Sequence, residues 1–392
     1  MQPVDLYVYD VSYFSGKMQA YLQYKGVPHR VHHVTWMQLA HELAQEAGVM
    51  EVPLLRRADG DLWRDTTLMI QCLEMEHPEA PLLPHDPALA FVMQLVEAYA
   101  DEGMWRPALY YRWAFAKDAE LYARRFHEDF LDLPMLGVPW LRVPLRAVKR
   151  RHLIWRQRRH YLAGEGITRS NRSAVERHYL DELDDLNALL THRDYLLGDR
   201  PSLVDFGYFA SMFRHFSIDP TPACLMRERA PRVYRWVARL WCARAQDVGG
   251  GALMTWDEVA TEQAFKHILS RIGRIWLPYL HANAVAVDAQ RRRFDVHIEG
   301  HSWPRMPAIA FRAWGRARLI ELYGDLCDAD RLRVDRLLGP AGCLEPLLMQ
   351  PGLCPRYPDG AELPRCTPAR HLSTWDKWRL TFSGTPHHRS AG

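Results

Sequence analysis

No run of apolar residues in this chain comes near the roughly 20 needed to cross a bilayer as a helix, so a membrane-spanning architecture has no support. Paired cysteines are missing too. The 7 cysteines, from Cys72 to Cys366, are odd in number and have no close partners in sequence, giving neither a disulfide framework nor a zinc-ligand spacing; a reducing compartment fits best. No charge of one sign dominates: 50 Lys and Arg stand against 47 Asp and Glu, a net charge of +3, which implies no overall commitment to nucleic acid. Gly-x-Gly-x-x-Gly, Walker-type and Gly-x-Ser-x-Gly patterns are absent, and with them the support for nucleotide-dependent and serine-hydrolase chemistry. The chain opens almost at once on a strand-like run with no basic and apolar leader before it, so the expectation is a cytoplasmic protein. Glu74-x-x-His77 has no second copy, and neither His32-His33 nor His387-His388 has partners at metal spacing, so no metal site is expected.

What the chain does hold is length and apolar content. With 392 residues, 48% of them hydrophobic, and 14 Trp and 17 Tyr, it can build two or three packed domains. Its most informative stretch is Asp5 to Val27. Leu6, Tyr7, Val8, Tyr9 and Val11 form a short strand-like run; Met18 and Leu22 then follow helical spacing up to a glycine stop at Gly26, with Ser12 and Ser15 between. A helix start fed by a strand offers unpaired N–H groups and the positive end of the dipole, which favours a bound anion or thiolate. Arg30 to Val34 reads as a second strand, Met37 to Ala47 as an amphipathic helix, and Val52-Pro53 opens a hairpin of Leu54 to Arg57 and Asp61 to Arg64. Asp65, Thr66 and Thr67 then offer cap oxygens to a further helix. The order is βαβαββα, thioredoxin-like. Where a redox Cys-x-x-Cys would fall stands Ser12-Tyr13-Phe14-Ser15, and hydroxyls exclude dithiol exchange while leaving a place to polarise another molecule's thiol.

Ser12-x-x-Ser15-x-Lys17 before an apolar helix, Val52-Pro53 before a hairpin and Asp65-Thr66 at a helix start together resemble the glutathione-binding domain of the glutathione S-transferase superfamily, in its serine-type, bacterial-like form. The resemblance covers about the first 245 residues. It implies that Ser12 stabilises the glutathione thiolate, that Val52, before a cis Pro53, pairs with the cysteinyl backbone, and that Asp65 and Thr66 hold the γ-glutamyl end, with Ser15 and Lys17 also in the binding set. It implies glutathione as cosubstrate, a small electrophilic or hydrophobic second substrate, and a homodimer. Tyr7 or Tyr9 on the strand is the alternative thiol-polarising group. A non-catalytic binding or scaffolding protein of the same fold is the alternative function.

The expected organisation is a thioredoxin-like domain over 1–82, an all-α transferase-like domain over 86–247 with a basic insertion at 140–160, an α-rich extension over 252–350, and an irregular tail over 351–392. From Asp86 a long helix is expected to run through Ala116 with a kink at Pro107. Its Trp105, Tyr110, Tyr111 and Trp113 read as core, with the lining of a hydrophobic cleft facing the glutathione site as the alternative, while Arg106 and Arg112 are candidates for holding an acidic substrate group. The basic insertion gathers Arg142, Arg146, Lys149, Arg150, Arg151, Arg156, Arg158 and Arg159 around Trp140, Leu153, Ile154 and Trp155. Its plain reading is a solvated helical face, its alternative contact with an anionic membrane surface; no nucleic-acid partner is expected. Ser202 and Asp205 have the spacing of a capping box at the start of a buried helix. Gly249-Gly250-Gly251 reads as a hinge into the extension.

Overall fold

Val4, Leu6 and Val8 alternate inward along β1 (Val4–Val8), and the rest of the sheet grows from this strand. The structure is a computed structural model that describes residues 2–131, 139–354, 364–366 and 373. β1 leads into the Tyr13–Lys25 helix, which closes on Gly26 at φ 68°, a conformation that glycine adopts without a Cβ clash. β2 (His29–His33) returns parallel to β1; residues 36–47 form a helical stretch started by a Thr35–Gln38 capping box. β3 (Leu54–Arg56) runs antiparallel to the other edge of β1, β4 (Leu62–Trp63) antiparallel to β3, and the Thr66–Glu76 helix follows. The sheet order β2-β1-β3-β4 is thioredoxin-like. Pro364 and Cys366 pair with Arg64 and Leu62 along β4, so part of the stretch expected to be irregular is laid against the sheet. The other residues of that stretch beyond Cys354, except Arg365 and Ser373, lie outside the described residues, as do the side chains of Trp140, Arg142 and Arg146 in the basic insertion.

The all-α part begins with the Pro87–Gly103 helix, capped by Asp86 with Pro87 at its first position. The expected single helix to Ala116 is instead two, parting at Met104. Pro107 is not the kink, because it falls in the first turn of the Trp105–Ala114 helix, where its missing N–H has no carbonyl to pair with. All nine residues of the Leu203–Ser211 helix are buried. It lies so close to Pro87–Gly103 that a Cβ on Gly207 would stand 3.1 Å from the Glu97 backbone. The capping box is formed: the Asp205 carboxylate accepts from the Ser202 N–H (2.9 Å) and hydroxyl (2.7 Å), and also from the Leu196 N–H and Trp236 Nε1 (both 2.9 Å).

The three glycines at 249–251 are not a free hinge. Asp199 N–H donates to Ala252 O and Met254 N–H to Leu197 O, both at 2.9 Å, and a Cβ on Gly251 would be 2.9 Å from the Asp199 carbonyl. A Cβ at 249 or 251 would collide with Ala80 or Asp199, so small residues are needed at those two positions. Past this point come the Gln263–Arg271 and Leu277–Asp288 helices, a hairpin of β5 (Arg293–Ile298) and β6 (His301–Pro307), and the Ala310–Gly324 and Asp328–Leu338 helices. Glu299 and Gly300, both at positive φ, make the hairpin turn. One hydrophobic cluster runs from Leu6 and Met18 through Val92 and Phe206 to Phe265, Trp276 and Val334, so the extension shares its core with the body.

A buried polar network fastens the two. Arg271 of the extension donates to Glu182 (2.6 Å) and Asp185 (2.5 Å), Glu182 also accepts from Tyr99 (2.7 Å), and the Tyr99 hydroxyl meets His178 Nε2 at 2.7 Å. Removing Arg271 strands both carboxylates, so Arg271→Ala should cost about 3–5 kcal/mol in chemical denaturation. Burial, then the Arg271 and Arg106 charges, push the His178 imidazole down to about 3. In the unfolded chain it titrates near 6.5, so between about pH 6.5 and 3 only the unfolded chain takes up this proton, and stability is lost as pH falls through that window. Urea unfolding across that range should show the loss, and His178→Gln should flatten it.

Candidate functional site

Ser12 owes its place to what holds the loop before it. Arg112 Nη1 donates to the Val11 carbonyl (3.2 Å) and Arg214 Nη1 to the Asp10 carbonyl (2.5 Å), fixing the turn between β1 and the first helix against the all-α part. Ser12 N–H donates to Tyr9 O at 2.9 Å, and Ser12 is the extended N-cap of the Tyr13–Lys25 helix. Its hydroxyl does not cap that helix; it donates to the Val52 carbonyl at 3.4 Å. The Val52–Pro53 peptide is cis.

Arg112 therefore corrects an expectation. It is buried in a two-toothed pair with Asp219 (2.8 and 3.2 Å) and also donates to the Arg214 carbonyl (2.8 Å), leaving nothing for a substrate. Arg106 is half-buried, over the rings of Trp303 (4.5 Å) and Tyr279 (5.1 Å) beside a void of about 10 Å³, room for one water. Trp113, Tyr110 and Tyr111 are core. Tyr9 packs with Val11, Trp36 and Leu54, and Tyr7 stacks on His32.

Two further members of the expected binding set turn inward. Ser15 is fully buried and its hydroxyl accepts the Tyr9 N–H at 3.3 Å, so it serves the strand end rather than a ligand. Lys17 is fully buried between Glu97 (2.6 Å) and Asp101 (2.5 Å). Burial alone would depress this ammonium, but Asp101 and Glu97 outweigh it and hold its pKa above the ordinary lysine value. Ser15 is thus held at the strand end, and Lys17 against the Pro87–Gly103 helix.

Val52, Pro53, Asp65 and Thr66 are brought together on one cavity of about 130 Å³, many times what a single water needs. Asp65 stands at φ 72°, a conformation that non-glycine residues adopt rarely and that recurs at ligand clamps, and its Oδ1 caps the helix by accepting the Leu68 N–H at 3.1 Å. Thr66, nearly buried, opens the 11-residue helix whose first N–H groups face an incoming anion. Ser12 is not in the cavity wall itself, but its hydroxyl meets Val52, which is.

Sequence reasoning missed the floor and the far wall. The floor is the Lys17–Glu97–Asp101 cluster, with the Thr67 hydroxyl donating to Glu97 (3.0 Å) and Asp101 (3.3 Å). Glu97 and Asp101, one turn apart beside Val96 and Ala100 on an apolar helix, were the readable signal. The far wall comes from the extension: Trp276, Phe311, Trp314, Arg318 and Leu322. Nothing local in those residues marks them as facing residue 65.

Comparison with known proteins decides the family. Residues 6–81 match the family model described as glutathione S-transferase, N-terminal domain, and residues 165–242 the one described as glutathione S-transferase, C-terminal domain. The chain belongs to the glutathione S-transferase superfamily. No curated protein matches its sequence. Among solved structures, a glutathione S-transferase from Methylobacterium radiotolerans in complex with glutathione sulfonate is 20% identical, with 62% of this chain and 91% of that one covered and a TM-score of 0.39. The β-etherase LigF from Sphingobium sp. strain SYK-6 is 18% identical over 69% of this chain and 100% of its own, with a TM-score of 0.42. A glutathione S-transferase from Methylobacillus flagellatus with bound GSH is 16% identical over 68% and 98%, with a TM-score of 0.37. Among the described residues no helix is long and apolar enough to cross a membrane.

If Lys17 is a structural cation in this superfamily member, Lys17→Met should lower unfolding free energy by about 3–5 kcal/mol. Adding Asp101→Asn to that variant should recover part of the loss by removing one of the two stranded carboxylates, as urea titrations of the single and double variants will show.

Proposed function

We propose that this superfamily member binds glutathione where Ser12, Val52–Pro53, Asp65 and Thr66 converge, and activates its thiol for attack on a small electrophile. The observation that supports this most is the meeting of the Ser12 hydroxyl with the Val52 carbonyl at 3.4 Å, at the start of a 13-residue helix. A hydroxyl, a helix N-terminus and a backbone edge able to pair with an extended peptide occupy one spot. A free thiol titrates near 8.5, so at neutral pH only a few per cent is thiolate, and each unit of depression corresponds to about 1.4 kcal/mol. The Ser12 hydroxyl, turned from the Val52 carbonyl to donate to sulfur, together with the helix dipole, favours the thiolate and raises the fraction of nucleophile. The Thr66 hydroxyl and the N–H groups at its helix start suit the γ-glutamyl carboxylate. The chemistry is nucleophilic substitution or addition by sulfur, with glutathione as the cosubstrate and a cytoplasmic setting in which it is abundant.

A second reading, a binding protein without turnover, is favoured by one feature. Val148 and Trp155 stand 63% and 58% exposed on the basic Pro139–Gln157 helix, in a stripe with Arg151 and His152, which suits an interaction surface better than a solvated face. Retention on immobilised glutathione with no conjugation of any electrophile would select that reading.

Under the catalytic reading, Ser12→Ala should raise the apparent pKa of bound glutathione and lower kcat/KM about ten-fold or more, roughly 1.4 kcal/mol per ten-fold. Full activity in Ser12→Ala with loss in Tyr9→Phe would move the role to the tyrosine.

A further inference from the structure

Asp101 carries one of the buried polar atoms that the fold leaves unpaired. It is 5% exposed and lines the cavity; its Oδ2 takes Lys17 and Thr67, while its Oδ1 has no partner among the described residues. The charge there is unbalanced as well, since one ammonium stands between the Glu97 and Asp101 carboxylates. Burial, only partly opposed by Lys17, holds the Asp101 carboxyl well above the usual carboxylate range, a cost that a second cation at Oδ1 would remove. Among the described residues none supplies that cation: the neighbouring Arg312 is engaged with Glu102 at 2.9 Å.

The extension also walls this cavity. Arg318 donates from Nη2 to Gln71 Oε1 at 2.7 Å, an acceptor on the helix that Asp65 caps, and its buried Nε has no partner. Trp276, 4% exposed and on the same cavity, has an unpartnered Nε1–H. An arginine on the extension and a carboxylate with one unpaired oxygen on the Pro87–Gly103 helix, both lining one cavity, suit a ligand that carries an anionic and a cationic group.

We propose that the extension completes the glutathione pocket: Arg318 joins the Thr66 hydroxyl and its helix-start N–H groups on the α-carboxylate of the ligand's γ-glutamyl head, while Asp101 takes its α-ammonium. This rests on the glutathione reading above and gives the extension a share in ligand selection. Asp65, whose Oδ1 is committed to the helix cap, holds the chain's entry into the site, and Asp101 supplies the charge for the ammonium. A ligand with an uncharged acyl group in place of the γ-glutamyl head is rejected, because it leaves both sides of the cavity unpaired.

The test is calorimetric titration of the full-length protein with glutathione and two analogues. Glutaryl-cysteinylglycine lacks the ammonium; 4-aminobutanoyl-cysteinylglycine lacks the α-carboxylate. The unmodified protein should bind each analogue about ten-fold or more weaker than glutathione. Arg318→Gln should lose about ten-fold for glutathione and nearly nothing for the aminobutanoyl analogue; Asp101→Asn should lose as much for glutathione and nearly nothing for the glutaryl analogue. Arg318→Gln losing equally on glutathione and the aminobutanoyl analogue, or losing nothing on either, overturns the proposal while leaving glutathione binding intact. Absence of any glutathione binding by the unmodified protein overturns both. Should Asp101→Asn fail to fold by its thermal transition, the part-buried Arg318 variant decides alone.

Discussion

A lysine ammonium with no access to water is the constraint around which this molecule is arranged. Lys17 lies on the first helix of the sheet-containing part and its partners, Glu97 and Asp101, on the first helix of the all-α part. An unpaired charge in that place would cost several kcal/mol, so the two helices have little freedom to slide or rotate against each other. That rigidity passes along the first helix to its N-terminus at Ser12. It passes along the second to the cavity floor, where Thr67 adds its hydroxyl to the same carboxylates. The two ends of the candidate site are thus held in register by one buried cluster.

Arginines do the corresponding work at the other junctions. Arg112 and Arg214 hold the Asp10–Val11 turn from the all-α part, and three arginines of the extension reach back to the body: Arg312 to Glu102, Arg318 to Gln71 and Arg333 to Asp86 at 2.5 and 3.0 Å. A guanidinium with its fixed fork sets both distance and angle, which an apolar contact does not. The Ala310–Gly324 helix is accordingly oriented over the cavity by directional bonds, while the apolar cluster beneath it supplies the burial.

Local chemistry made much of this legible in the sequence. Alternation in β1, the Gly26 stop, the Asp65 cap, the Ser202–Asp205 box and the βαβαββα order all depend on residues within a few positions of one another, and each is where its pattern put it. What did not show were roles decided by tertiary partners. Ser15 and Lys17 belong to a motif-like run, but a helix turns a new face every residue, and three and five positions past Ser12 the side chains point into the interior. Arg106 and Arg112 looked too polar to bury because their partners, Asp219 and the rings of Tyr279 and Trp303, lie more than 100 residues away. The glycines at 249–251 looked flexible because the chain they pass against, at Asp199, is invisible in composition.

The same distinction explains why the sequence pointed to Asp65 and passed over Asp101. An acidic residue before Thr66 at a helix start announces itself, and capping is the task the geometry gives its Oδ1. A cap must remain in place whether or not a ligand is present, so that oxygen is not free to follow a ligand's charge. Asp101 has the opposite character: its position is fixed by Lys17, its neighbours leave one oxygen unused, and its burial makes that oxygen costly until something positive meets it. Groups that stabilise a fold are satisfied within it, whereas groups that select a ligand are left short of one partner. By that criterion the discriminating chemistry of this cavity lies between the Pro87–Gly103 helix and the extension, on the side opposite the cap.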